Sequence, residues 1–390
     1  MMEDSRRWLM LGLGMLAQAA SCVFLYGLPY LLPQVQRDLG LSLSRASVLI
    51  TMPIVGLLLA LVAWGAAADR YGERVVMALG LTLAGVFLFA ASVVVDDVRA
   101  LAAVLLLAGA GAASVSAASG RLVLGWFAPR DRGLAMGARQ TAQPLGTAVA
   151  AALLPALALL GGLSLAVGAC ALLCAASALA VGVLARDPAR PEGRQGTAGR
   201  SPYHEPFLWR LHLASACLVV PQFAVTAFSF EFLTQVRHWP TSTAATVLAV
   251  GNLAGAVVRL VVGYWSDRVG RRLAPMRTLA VAIAFVVGLV ALGAASGSPV
   301  ASLALVVGCA VTVATNGLAF TAVAERAGSR WAGRALGIQN TGQNLVAVAT
   351  APGLGSLIEH VGYAVAFSTA AGFSVAGAVS TPVRQERALA

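Results

Sequence analysis

The sequence predicts an all-α membrane protein: twelve spanning helices in two similar bundles of six. Three observations carry this. The 390 residues are 59% hydrophobic and only 11% charged, against about 25% charged for a soluble domain, so most of the surface must face lipid. A charged motif, Gly65-x-x-x-Asp69-Arg70-x-Gly72-x-Arg74, recurs 198 residues later as Gly263-x-x-x-Asp267-Arg268-x-Gly270-x-Arg272. A second set, Gly133, Ala135, Gly137, Thr141, Gln143 and Leu145, returns 200 residues later as Gly333, Ala335, Gly337, Thr341, Gln343 and Leu345. Two echoes at nearly one spacing describe a chain built from two like halves.

Cutting the sequence at charges and Pro/Gly clusters leaves stretches near the roughly 20 residues that cross a bilayer. They lie at 8–32, 45–67, 74–95, 100–122, 133–158 and 162–185, then at 207–234, 243–265, 275–296, 299–322, 333–357 and 361–381. They should be helices, because a helix satisfies its own backbone in hydrocarbon. The first begins like a signal peptide but runs on through Leu32, too long for a cleaved segment. The second and eighth end in the two charged motifs. The fourth is dense in small residues (Gly109, Gly111, Ala112, Ala113, Ser114), which let helices approach closely. Pro29, Pro53, Pro144, Pro155, Pro221 and Pro352 fall within spans and should bend them, with Pro144 and Pro221 as candidate gating bends. Residues 186–206 hold four prolines, three glycines and almost nothing apolar, which describes a linker. The expected organisation is a bundle at 1–185, a linker at 186–206 and a second bundle at 207–390.

All 27 basic residues are arginine. They crowd the loops on one side of the expected bilayer, while the other side holds Arg37, Arg45, Arg99 and Arg237. By the positive-inside rule both termini face the cytoplasm, as in a multi-pass protein of the inner (plasma) membrane. The net charge of +11 thus reads as a topology signal rather than a nucleic-acid footprint. The five cysteines fall inside apolar spans without a CxxC pair, which favours buried thiols over a metal site. A Gly-x-x-x-x-Gly-Lys nucleotide loop needs lysine, which the chain lacks. No paired carboxylates or His cluster in a span suggest hydrolysis. No enzyme activity, cofactor or metal is expected.

The twice-occurring Gly-x-x-x-Asp-Arg-x-Gly-x-Arg pattern between paired spans resembles the signature of the major facilitator superfamily, over the whole chain. The resemblance implies a monomeric secondary transporter, moving a small solute by alternating access around a cavity between the bundles. It also implies that the motif steadies an outward-open state. Asp69 and Asp267 would face the positive N-terminus of a helix from the other half. Arg70, Arg74, Arg268, Arg271 and Arg272, with Gly72 and Gly270, would complete a latch of ion pairs; otherwise these are loop charges that set topology. Two departures weaken the drug/proton antiporter alternative: the fourth span has no arginine before its glycines, and the fifth reads Gln143-Pro144-Leu145-Gly146-Thr147.

A charge inside a span is a functional candidate by default. Arg259, in the run Val257-Val258-Arg259-Leu260-Val261, resembles the eighth-helix arginine of monocarboxylate, oxalate/formate and nitrate porters. Nitrate porters carry a second arginine where this chain has Leu61. A guanidinium grips a carboxylate with two parallel hydrogen bonds, so Arg259 is the candidate anion ligand; its alternative is a structural pair with a fifth-span group or a carbonyl. Arg139 either flanks the same anion or pairs with Asp267. Gln143 and Asn252 share faces with Arg139 and Arg259 respectively. Asn340 and Gln343 form an amide-rich turn in the eleventh span, and Tyr26, Gln222 and Asn316 add polar groups in the first, seventh and tenth. Glu231 is the candidate for proton coupling.

Overall fold

The computed structural model describes residues 2–188 and 201–386; most of the expected linker falls outside them. Along these residues run α1 (Met2–Leu25), a short α2 (Leu32–Leu39), α3 (Leu43–Tyr71), α4 (Glu73–Val93) and α5 (Val98–Trp126). Then come α6 (Arg132–Gln140), α7 (Ala142–Leu184), α8 (Pro206–Glu231), α9 (Thr241–Val269) and α10 (Leu273–Ser296). The order closes with α11 (Val300–Val311), α12 (Thr315–Ala327), α13 (Ala332–Val361) and α14 (Tyr363–Ser380).

Among the described residues, ten stretches are long and apolar enough to cross a membrane. One of them, Pro129–Leu184, has 56 residues, far beyond the roughly 30 Å of a hydrocarbon core at 1.5 Å per residue. It reverses inside α7 at Gly161 (φ −146°, ψ 25°) and Gly162 (φ 69°), so it makes two passes, the fifth and sixth. The remaining pass is α13 (Ala332–Val361), which carries the amides Gln339, Asn340, Gln343 and Asn344. The fold is the twelve-helix arrangement the sequence predicts.

Local chemistry sets the helix ends. Ser42 and Asp97 cap α3 and α5 by accepting backbone N–H groups. The motif glycines Gly72 (φ 93°) and Gly270 (φ 66°) end α3 and α9 in left-handed backbone that other residues resist. The fifth pass breaks after Gln140 because Pro144 offers no N–H to the Gln140 carbonyl and crowds it. The repeat puts Asn344 there, and α13 runs through unbroken. The tenth pass breaks at residues 312–314 without a proline. There the Thr312 hydroxyl donates to the Gly308 carbonyl at 2.7 Å.

The chain forms two compact units. One comprises the described parts of Met1–Phe127, Thr141–Gln195 and Gly328–Thr341, so it contains the first turns of α13. In it α5 packs against α3 and α4 through its small residues: a Cβ on Gly109 would strike the Pro53 carbonyl, and one on Gly80 would strike Ser114. Phe89, Leu160 and Leu172 stay exposed, the pattern of a lipid-facing wall. The other comprises the described parts of Ala128–Gln140, Gly196–Ala327 and Gly342–Ala390, so it contains α6. Its α14 packs on α8 and α10, with Gly377 against the Ala214 carbonyl and Leu218. Leu253, Phe285 and Val379 are exposed on it.

Candidate functional site

Each motif aspartate ends one helix and holds the start of another. Asp69, near the end of α3, accepts the Gly333 N–H at 2.8 Å and the Arg334 N–H at 3.1 Å, both in the first turn of α13. Asp267, near the end of α9, accepts the Gly133 N–H at 2.9 Å and the Leu134 N–H at 2.8 Å, in the first turn of α6. The opening N–H groups of a helix have no acceptor within it and carry partial positive charge, so a carboxylate is their natural partner. The two sequence echoes therefore meet crosswise: each motif docks on the second echo of the other half.

Glycine makes this approach possible. A Cβ on Gly65 would strike the Gly333 carbonyl and one on Gly333 the Gly65 carbonyl; Gly263 and Gly133 stand in the same mutual relation. One turn on, Gly137 lies against the backbone carbonyl of Arg259, and Gly337 against that of Leu61.

Buried arginines complete both contacts. Arg121 of α5, 7% exposed, reaches Asp69 through Nη1 at 2.5 Å and Glu73 through Nε at 2.5 Å. Arg272, 2% exposed, reaches Asp267 at 2.5 Å, the Ser266 hydroxyl at 2.9 Å and the Pro129 carbonyl. Glu325 lies 3.5 Å from Arg272 and 3.4 Å from Arg132. Arg70, Arg74 and Arg268 meet other groups. Arg70 and Arg268 lie over the rings of Tyr71 and Tyr264. Arg74 donates to the Gly182 carbonyl, and its N–H to Asp187 at 2.7 Å. Sequence reasoning passed over Arg121, Glu73, Arg132 and Glu325. The available signal was that Arg121 interrupts an apolar run within the fourth span.

Arg259 lies half-buried on α9. Its Nε donates to the Val313 carbonyl across a long 3.4 Å, and among the described residues no carboxylate pairs with it. Val313 is in the break between α11 and α12, where backbone carbonyls are released from the helical ladder. Three residues on, Asn316 donates to Gln222 of α8 at 3.0 Å. Gln343 of α13 donates to the Asn316 carbonyl oxygen at 3.4 Å and to the Ser215 hydroxyl at 2.7 Å. A polar relay thus joins α8, α12 and α13 in the unit that holds Arg259. At the repeat-equivalent position stands Leu61, fully buried.

The other candidates fall as follows. Arg139 is 4% exposed and donates to the Gln140 side chain at 2.8 Å; the Asp267 carboxylate is filled by Gly133, Leu134 and Arg272. Asn252, exposed on α9, donates to Leu248 of its own helix. Asn340 donates to the Ser116 and Leu336 carbonyls in the first unit, which also holds Tyr26, half-buried, and Gln143, exposed. Glu231 is exposed at the end of α8, beside the Tyr363 hydroxyl. The five cysteines are buried and free.

Comparison with known proteins agrees with this fold. Residues 14–352 match the family model of the major facilitator superfamily. An uncharacterized MFS-type transporter of Mycobacterium tuberculosis is 39% identical over 384 residues, 97% of this chain and 85% of the relative. The Escherichia coli fucose:proton symporter shares the fold at TM-score 0.76 and 15% identity, over 98% of each chain. The human organic anion transporter MFSD10 shares it at TM-score 0.73 and 20% identity, over 97% of this chain and 99% of that one. The chain belongs to the major facilitator superfamily of multi-pass membrane transporters.

Proposed function

We propose that this transporter is secondary active and carries a small organic anion, such as a carboxylate, by alternating access, as a proton symporter or an exchanger. The observation that carries the reading is Arg259: a guanidinium within a membrane helix, at a break in a neighbouring span, with one long bond to a carbonyl. A charge placed there is costly, and an anion offering two acceptors offsets that cost better than one backbone oxygen. The Gln222–Asn316–Gln343 relay would orient the cargo, and Arg139 and Asn252 would extend the polar surface. Fold neighbours include both a sugar symporter and an organic anion transporter, so the side chains rather than the fold must choose the substrate.

The motif aspartates would act as the latch. While Asp69 holds the first turn of α13 and Asp267 that of α6, one state of the cycle is favoured; transport requires both grips to open. The arginine distribution supports an inner-membrane protein with both termini in the cytoplasm, and the repeated motifs either side of the 186–206 segment support bundles at 1–185 and 207–390. Glu231 is the carboxylate available for proton coupling.

A ligand-stabilisation screen tests the substrate class. Purified protein is heated with a panel of mono- and dicarboxylates, sugars and organic cations. The reading expects a carboxylate to raise the unfolding midpoint of the native chain and not of Arg259→Ala. Stabilisation confined to cations or neutral solutes, or equal in the variant, contradicts it.

A further inference from the structure

One end of the second unit gathers three arginines that no acid takes up among the described residues. Arg210 on α8, Arg277 on α10 and Arg384 after α14 line a single cavity of about 740 Å³. All three are exposed, and among the described residues none has a hydrogen-bond or ion-pair partner. The nearest acid in sequence, Glu386, is committed elsewhere: it accepts the N–H groups of Arg272, of Leu273 at 2.6 Å and of Ala274 at 3.1 Å, capping α10.

Thr381 and Gln385 also line the mouth, and the rest of the cavity is apolar and runs along the spans. On α10, Val281 and Ala284 follow Arg277 at one-turn spacing on one face, and on α14 Val375 and Val379 oppose them. From Arg277 to Ala284 the wall descends about 10 Å into the membrane span. A cavity basic at its mouth and apolar below fits an amphiphile with an anionic head. The first unit supplies an internal contrast. Its groove between α4 and α7, of about 910 Å³, is bounded by residues such as Ala78, Gly85, Phe89, Leu172 and Leu179, and no charged residue lines it. There too an acid, Asp187, meets the start of α4. Arginines are among the lining residues of the second unit's cavity and not of the first unit's groove.

We propose that the cavity is a site for an anionic glycerophospholipid. Its phosphate would lie among Arg210, Arg277 and Arg384, which present guanidinium forks suited to phosphate oxygens, and an acyl chain would follow Val281 and Val375. The lipid belongs to the leaflet at the α14 C-terminus and is distinct from any cargo at Arg259.

Native mass spectrometry of the full chain in detergent tests this, with phosphatidylglycerol and phosphatidylcholine of matched chains added in turn, and inorganic phosphate as a separate arm. Phosphatidylglycerol should bind in preference to phosphatidylcholine. Arg277→Gln alone should weaken it roughly fivefold, and the triple variant Arg210→Gln/Arg277→Gln/Arg384→Gln roughly a hundredfold, at about a factor of five per arginine. Arg6→Gln, an exposed arginine outside the cavity, should change nothing. Equal binding of the two lipids, or no loss in Arg277→Gln, overturns the proposal. So does binding of inorganic phosphate with the same arginine dependence and no lipid preference, which would make the site one for a free anion.

Discussion

The Asp69 carboxylate accepts the backbone N–H of Gly333 at 2.8 Å, across 264 residues of sequence. Its counterpart repeats the arrangement, Asp267 on Gly133 at 2.9 Å. What looks in sequence like two unrelated echoes is one contact made twice, and the glycines beside it let the backbones touch.

The first prediction concerns the strength of that grip. An anion at a helix N-terminus is worth about 0.3–1 kcal/mol, and up to about 2 kcal/mol in partly buried geometry. Asp69→Asn keeps the shape and removes the charge. Amide hydrogen exchange across 328–341 should then speed up by roughly 2- to 30-fold, and Asp267→Asn should do the same for 128–140. Unchanged exchange in both would mean that the carboxylates do not hold these helix starts.

Arg121 serves two buried carboxylates, Asp69 and Glu73. Removing one partner of a buried pair costs about 3–5 kcal/mol, because the charges left behind are uncompensated. Arg121→Met should therefore lower stability by about that amount in detergent unfolding, and Asp69→Asn/Glu73→Gln added to it should recover most of the loss. A cost below about 1 kcal/mol for Arg121→Met would remove the network from the account.

Pro144 separates α6 from α7, while Asn344 lets α13 run continuously. Pro144→Ala should join the helices, and exchange protection should rise at residues 141–145. The mirror change, Asn344→Pro, should break α13 and cost about 3 kcal/mol. No gain of protection in Pro144→Ala would place the cause of the break elsewhere.

Much of this was legible in the sequence, and the physical reason differs by element. The spans were legible because lipid tolerates few charges, and the two echoes because duplicated contacts need the same glycines and acids in both halves. The motif glycines Gly72 and Gly270 announced their turns through backbone conformation. The loop charges did not announce their partners. Arg121 binds Asp69 and Glu73, and Arg272 rather than Arg70 or Arg268 reaches the aspartate of its own motif, because packing decides which side chain is turned inward. The break at 312–314 was hidden because no proline marks it, and the Thr312 back-bond is matched by Thr51, Thr82 and Thr341 inside unbroken helices. Arg259 was visible as a lone charge in an apolar run, but the Val313 carbonyl beside it was not.

Transport by purified protein in liposomes, with Arg259→Ala and Arg259→Lys beside the native chain, tests the central claim most directly. A lost bidentate contact to a charged group, about 1.5–3 kcal/mol, predicts that uptake of the carboxylate chosen by the stabilisation screen falls by roughly 10- to 100-fold in Arg259→Ala, with partial recovery in Arg259→Lys. Uptake by Arg259→Ala equal to that of the native chain would contradict the account.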